Sequence, residues 1–318
     1  MKLAVTEVGP LNVAFHRFAL SALVLAPLLV YVGRKMPKDR RTLRSLLLLG
    51  AVNASAIVPM YWGLVYETAG VGAVLTYTQP IFVFCLCVLF LKSETTWQRL
   101  VGVFLGFSGV VVISVGSAGF FQGIAGPGVF LLILGAFLWA VTILYYKRNL
   151  NHVDPILTSV IQQALGGIFV GPLALVVEGM SFPLTQSYLI LILYLSIFVS
   201  GMAVCLWLFL LKEEDVTVLS SSSYLIPMVA VFLGWLLLRE DVRPISLLGI
   251  GLILVGLYLT NRPGSRRLDS LRRRAEHLDR FPSNALQTRS KERSRSSPRF
   301  EYDHFEFPSP EPLIVHGH

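Results

Sequence analysis

Charge is what this chain has least of. Only 14% of its 318 residues are charged, against 54% apolar. A soluble domain carries about a quarter charged residues, so the shortage excludes a soluble bundle and fits a polytopic membrane protein. Cysteine is scarce too. Cys85, Cys87 and Cys205 all lie in apolar runs, which argues against a disulfide framework or a thiolate metal site. Cys85 and Cys87 fall on different helix faces and read as small packing residues. Catalytic motifs are missing: no HExxH, no nucleophile elbow, no P-loop and no pair of membrane carboxylates. Enzyme chemistry, a bound cofactor and ATP-driven transport by this chain alone are therefore not expected. Nor is a cleavable signal peptide expected, since the first eight residues are mixed and no small-residue cleavage site precedes the next span.

Long apolar runs take the place of charge. A bilayer core needs about 20 apolar residues per helix. Nine stretches qualify: Val13–Val32, Leu43–Tyr66, Gly70–Leu91, Leu100–Gly116, Gly128–Tyr146, Ile156–Val177, Tyr188–Leu211, Val216–Leu238 and Ile245–Asn261. They are too long and continuous for barrel strands, so the predicted fold is an all-α polytopic membrane protein. The loop after the first span holds Arg34, Lys35, Lys38, Arg40, Arg41 and Arg44, which predicts that it is cytoplasmic. Lys92, Arg99, Lys147 and Arg148 then fall on the same side. The last two loops are nearly neutral and do not contradict this orientation.

The chain also repeats itself. A constant spacing of 147 residues pairs Glu67 with Glu214, Tyr77 with Tyr224, Pro80 with Pro227, Lys92 with Arg239, Glu94 with Asp241, Gly102 with Gly249 and Gly109 with Gly256. Upstream, a spacing of 145 pairs Pro10 with Pro155, Ala19 with Ala164 and Pro27 with Pro172. The second copy has a full span, GVFLLILGAFLWAVTILYY, that has no counterpart in the first. The expected complete repeat is thus five helices plus five, with the first helix missing here. An odd number per copy inverts the second copy in the membrane, which suits alternating access. The expected organisation is a first repeat over 1–116, a second over 126–262 and a tail over 263–318. That tail is rich in Arg, Ser and Pro without an apolar period, and reads as disordered. Its 262–274 stretch, RPGSRRLDSLRRR, is either a solvated stop-transfer flank or a seat for anionic lipid.

Several segments resemble the EamA-like branch of the drug/metabolite transporter superfamily. They are PLNVAFHRFALSALVLAP, YWGLVYETAGVGAVLTYTQPIFVFCLCVLFLKSE and GVFLGFSGVVVI in the first copy, with GAFLWAVTILYYKR, SSSSYLIPMVAVFLGWLLLRE and GIGLILVGLYL in the second. Order, spacing and duplication carry the resemblance rather than any single motif. It implies an inverted-repeat carrier in the plasma membrane that exports or exchanges small metabolites, amino acids or drugs. Coupling to an ion or a counter-solute is implied with it.

Polar groups inside spans are the candidate substrate-binding residues. Arg17, in the HRF element, either meets an anionic group such as a substrate carboxylate or snorkels to the interface. His16 beside it faces about 100° away. Asn53 lies mid-span. Gln79 precedes Pro80 in TYTQP, and its counterpart segment is SYLIP; proline frees a carbonyl in each, so both are expected helix breaks. Tyr77 and Tyr224 either clamp a solute from two sides or serve as packing hinges. Gln162 occupies the repeat position of Arg17, and Gln163 adjoins it. Trp139 in GAFLWA is a cavity candidate. The glycine rows are read as helix-packing seams without a ligand. Expected partners are a small-molecule substrate and the bilayer, with anionic lipid and a second copy of the chain as further candidates and no nucleic acid. The competing function is a non-transporting membrane protein whose basic tail recruits lipid or a partner, or an inactive truncated carrier.

Overall fold

Five helix starts are set by polar caps rather than by the apolar windows. In the computed structural model, residues 8–31, 33, 36–91, 96–115, 126–238 and 244–262 are described. The described helices are α1 Pro10–Tyr31, α2 Arg40–Tyr66, α3 Ala69–Thr76, α4 Gln79–Leu91, α5 Trp97–Val115, α6 Pro127–Asn149 and α7 Pro155–Val177. They continue with α8 Gln186–Tyr194, a π-helix over Leu195–Met202, α9 Ala203–Glu213, α10 Val216–Ser221, a 3-10 turn over Ser222–Tyr224, α11 Leu225–Leu238 and α12 Pro244–Asn261. Asp39, Asp154 and Asp215 each accept two backbone N–H bonds at a helix start, and Thr68 and Thr185 accept one. Several helices therefore begin a residue or more before the predicted window, as at Arg40 against Leu43. The Asp39 carboxyl is held below the ordinary carboxylate range by the Thr42 N–H and then the Arg41 N–H. That cap persists above the ordinary carboxylate pKa and is lost as pH falls through the lowered one.

Nine helical segments among the described residues are long and apolar enough to cross a bilayer. Their outward faces are apolar, with Leu23, Phe130 and Val176 strongly exposed. In water such a surface would aggregate, whereas in lipid it is solvated. The loop pairs Lys92/Arg239 and Glu94/Asp241, the 117–125 loop and the tail over 263–318 lie outside the described residues.

The repeat reappears as packing. The most extensive helix pairing joins α5 to α12, and another joins α1 to α7. Both are pairings between counterparts: 97 maps on 244 at the spacing of 147, and 10 maps on 155 at 145. The α5–α12 seam is built by glycine. A Cβ on Gly102 would stand 2.7 Å from the Gly256 carbonyl oxygen, and one on Gly109 would stand 2.5 Å from that of Gly249. The repeat maps the first contact onto the second, so the seam is self-complementary. Close backbone approach of this kind is how helices associate where lipid removes the hydrophobic drive.

The structure also locates part of the difference between the two spacings. Helix α2 spans 27 residues, and its counterpart from Gln186 to Glu213 spans 28. The extra residue falls where the counterpart widens into the π-helix, in which the Ala203 N–H reaches the Phe198 carbonyl five residues back. A π-turn is how a helix absorbs one inserted residue without losing its axis.

Candidate functional site

Among the described residues, three places within the apolar spans depart from regular α-helix. The α3–α4 break falls at Tyr77 and Thr78, where the Thr78 hydroxyl donates to the Leu75 carbonyl at 2.6 Å. The second is the 3-10 turn at Ser222–Tyr224, where the Ser222 hydroxyl donates to the Leu219 carbonyl, also at 2.6 Å. These two breaks are repeat counterparts, since Tyr77 and Tyr224 correspond. The third is the π-helix. Irregular backbone is tolerated inside a bilayer only where protein buries it or where it lines a polar cavity.

Polar side chains gather near these departures, and several are buried without a hydrogen-bond partner. They include Gln79 Nε2, Gln162 Oε1, Tyr224 Oη, Ser21 Oγ and Ser200 Oγ. Each buried unpaired group costs about 1–3 kcal/mol. A fold held together by lipid-phase packing has little to gain from several of them unless a polar solute meets them in some state.

The predicted residues do not gather in one place: Tyr77 and Tyr224 share one apolar cluster, and Trp139 belongs to another. Tyr77 packs against the cluster of Val74, Val110, Ile113, Tyr224 and Ile253, so the two tyrosines share one group. The Tyr224 ring packs against Gly106, where a Cβ would meet its Cδ2 at 2.6 Å. Arg17 lies elsewhere, beside the rings of Phe18 and Tyr61. It is buried, its Nη1 donates to Tyr61 Oη at 2.7 Å, and its Cζ stands 5.6 Å from the Tyr61 ring centroid. Trp139 packs on its own cluster with Ala140, Ile143 and Leu208. Asn53 is buried on α2 and Gln162 on α7. Gln163 donates from Nε2 to the Ser200 carbonyl of the π-helix. His16 is bonded through Nδ1 to Tyr188 Oη at 2.7 Å, with Phe182 edge-on at 4.6 Å.

Sequence reasoning missed the polar ties at the two ends of the bundle. At one end Glu178 takes the start of α1. Its Oε1 accepts from Leu11 N at 2.9 Å, and its Oε2 accepts from Asn12 N and Asn12 Nδ2, both at 3.0 Å. Asn12 Nδ2 also donates to the Gly179 carbonyl at 2.9 Å. A carboxylate at a helix N-terminus is favoured by the dipole as well as by the bonds. Glu178→Gln removes the charge and one acceptor oxygen, so it is expected to lower stability by about 2 kcal/mol. Thermal unfolding in detergent reads this, and an unchanged midpoint would show that the latch is not structural. At the opposite end Arg99 Nη1 meets Asp215 Oδ2 at 3.3 Å. Lys147 Nζ donates to the carbonyls of Leu211, Lys212 and Glu214 at 2.7, 3.1 and 3.0 Å, closing the C-terminus of α9. An acid in a short loop gives no sequence signal of which helix start it will cap.

This arrangement has known relatives. The EamA-like transporter family model matches residues 1–115 and 126–262. A protein of Archaeoglobus fulgidus named an uncharacterized transporter is 33% identical over 82% of this chain and 90% of its own. A chloroplastic WAT1-related protein of Arabidopsis thaliana is 28% identical over 83% of this chain and 65% of its own. A solved crystal structure shares the fold at a TM-score of 0.70 and 18% identity, covering 81% of this chain and 90% of that one. With a family model over both blocks and a relative at this identity and coverage, the chain belongs to the EamA-like transporter family.

Proposed function

We propose that the chain is a secondary transporter that exports or exchanges small organic solutes by alternating access between its inverted copies. The observation that carries this reading is the pair of counterpart helix breaks at Tyr77–Thr78 and Ser222–Tyr224, set among buried polar atoms without partners. Relatives named as transporters support transport without naming a solute. In this reading Tyr77, Gln79 and Tyr224 form one wall of the solute path, Arg17, Asn53 and Gln162 another, and Trp139 bounds it toward the Arg99 end. Exchange of conformation between the copies would loosen the Glu178 latch and the Arg99–Asp215 and Lys147 ties in turn. The Arg99 end carries Arg40, Arg41, Arg44, Lys147, Arg148 and Arg262 and is the cytoplasmic end of a plasma-membrane protein. Anionic lipid is the proposed partner of the basic 262–274 stretch, and a homodimer is compatible with the exposed apolar faces.

The test is transport in vesicles. Reconstituted protein, loaded with a small-metabolite extract and placed under an ion gradient, is expected to release at least one solute. Asn53→Leu and Gln79→Leu are expected to cut that release by about tenfold or more, the scale of one lost polar contact to a solute. Deleting residues 263–318 is expected to leave it intact. Gradient-independent leakage alone, equal in empty vesicles, would overturn the reading.

A further inference from the structure

Two glutamates at one end of the bundle are placed alike. Each closes the C-terminus of its own helix and lays its carboxylate at the N-terminus of another. Glu178 is the C-cap of α7, and its oxygens accept from Leu11 N, Asn12 N and Asn12 Nδ2 at the start of α1. Glu67 is the C-cap of α2 and is buried. Its carboxylate lies against the start of α6. A Cβ on Gly128 would stand 2.9 Å from Glu67 Oε1, and one on the N-cap Gly126 would stand 3.8 Å from it. Both contacts join the two copies. Glu67 belongs to the first matched block and α6 to the second, whereas Glu178 belongs to the second and α1 to the first.

The other end is closed differently. The repeat maps Glu67 onto Glu214, whose side chain is exposed, and Glu178 onto Gly33, which has none. Cations hold that end, through Arg99 on Asp215 and Lys147 on the carbonyls at the end of α9. The chemistry of the glutamate end follows from its geometry. A carboxylate at the C-terminus of its own helix is disfavoured by that dipole, and the N-terminus of a second helix offsets the cost. Helix dipoles therefore favour the charge on Glu67 and Glu178 only while the copies stay together. Parting them leaves each charge beside its own C-terminal carbonyls, where protonation relieves it. Conversely, a proton on Glu178 turns one acceptor oxygen into a hydroxyl facing N–H donors and cancels the attraction to the α1 dipole.

We propose that Glu67 and Glu178 form a pH-operated latch, and that the bundle end opposite Arg99 opens between the copies when they take up protons. This inference rests on the alternating-access reading and names what controls one of its two gates. The sign follows from linkage. The closed form favours both groups ionised and the open form binds protons more tightly, so acid on that side favours opening and alkali favours closure. The other titratable and charged groups near Glu178 are His16 and Arg17 on α1, with Tyr188 on α8. Arg17 is bonded to Tyr61 within the first copy. His16 is bonded to Tyr188 across the copies, which makes it the rival sensor. Near Glu67 they are Tyr61 and Tyr66 on α2 itself, since α3 and the part of α6 before Tyr145 carry none. Lys2 and Glu7 lie outside the described residues.

The experiment uses the full chain in a non-ionic detergent, with Cys85, Cys87 and Cys205 changed to alanine. Ala14→Cys places a reporter in the buried cluster beneath Glu178. Leu132→Cys places one at Gly63, one turn from Glu67 on α2. Modification by a maleimide is followed from about pH 8 to about pH 4.5, down to the ordinary carboxylate range. Each rate is divided by that of the exposed reporter Met36→Cys at the same pH, which cancels the titration of the thiol itself. Both ratios are expected to rise by about tenfold in acid, the scale of an ordinary coupling. With Glu67→Gln and Glu178→Gln together, both reporters are expected to react fast at every pH. Val110→Cys, buried against Ile253, is expected to stay unreactive in every form, which separates an open latch from an unfolded chain. His16→Gln is expected to keep the response. Ratios that ignore pH, glutamine variants that respond like the parent, or loss of the response in His16→Gln would overturn the latch. Because no solute or gradient is applied, a failure here leaves gradient-driven flux standing, and absence of flux would leave the latch standing.

Discussion

Replacing Gly109 with valine will open the seam between α5 and α12 and cost at least about 3 kcal/mol of stability. The first added carbon would stand 2.5 Å from the Gly249 carbonyl oxygen and 2.9 Å from the Ile253 amide nitrogen. Both are backbone atoms, so no rotamer change relieves the clash and the helices must separate. Separation exposes the facing backbone to lipid, and lipid supplies no hydrophobic force to close it again. Gly256→Val should cost a similar amount, because the repeat maps Gly109 onto Gly256 and its Cβ would stand 2.5 Å from the Gly106 nitrogen. Gly251 is the control on the same helix. A Cβ there meets nothing within 4 Å, so Gly251→Ala should stabilise by about 0.5–1 kcal/mol through helix propensity alone. Unfolding midpoints in detergent for the three variants decide the matter. Equal midpoints for Gly109→Val and the parent would mean that the seam is not a packing interface.

Arg17→Met should do the opposite to stability while removing function. A buried charge without an ion pair is expensive, and an apolar side chain of similar length fills the same volume without the desolvation cost. The tie to Tyr61 offsets part of that cost but not all, since Nε stays unpartnered. The variant is expected to gain about 1–2 kcal/mol of stability. Its transport in vesicles is expected to fall by about tenfold or more, the usual exchange of activity for stability at a working site. A destabilised Arg17→Met with full transport would make Arg17 a structural residue held by Tyr61 and the neighbouring rings. Tyr61→Phe separates the contributions: it strands Nη1 as well, so it should destabilise by about 1–3 kcal/mol while leaving the charge in place.

Much of this was legible in the residues because the bilayer removes alternatives. With no water in the hydrocarbon region, a run of about 20 apolar residues has one stable spanning form. The spans therefore agree between sequence and structure to within a few residues at their ends. The breaks at TYTQP and SYLIP were legible for a local reason, since proline withdraws an N–H in each. Trp139 and Arg17 could not be placed relative to one another, because their separation depends on how helices pair across the membrane. The unpartnered hydroxyls of Ser21 and Ser200 were invisible because a lone serine looks the same in sequence whether or not its hydroxyl finds a partner.

The π-helix shows where that boundary runs. The two spacings of 145 and 147 demand an insertion somewhere between Pro27 and Glu67 of the first copy and their counterparts. Both a loop and a helix could absorb it in principle. Only the packed structure puts one residue of it in the Leu195–Met202 turn, opposite Ser21 and Gln163. The sequence by itself determined the membrane, the helices, the duplication and the breaks, because each follows from local chemistry or from residue spacing. The tertiary structure decided which unpaired atoms face one another, because that depends on the contact of helices far apart in the chain.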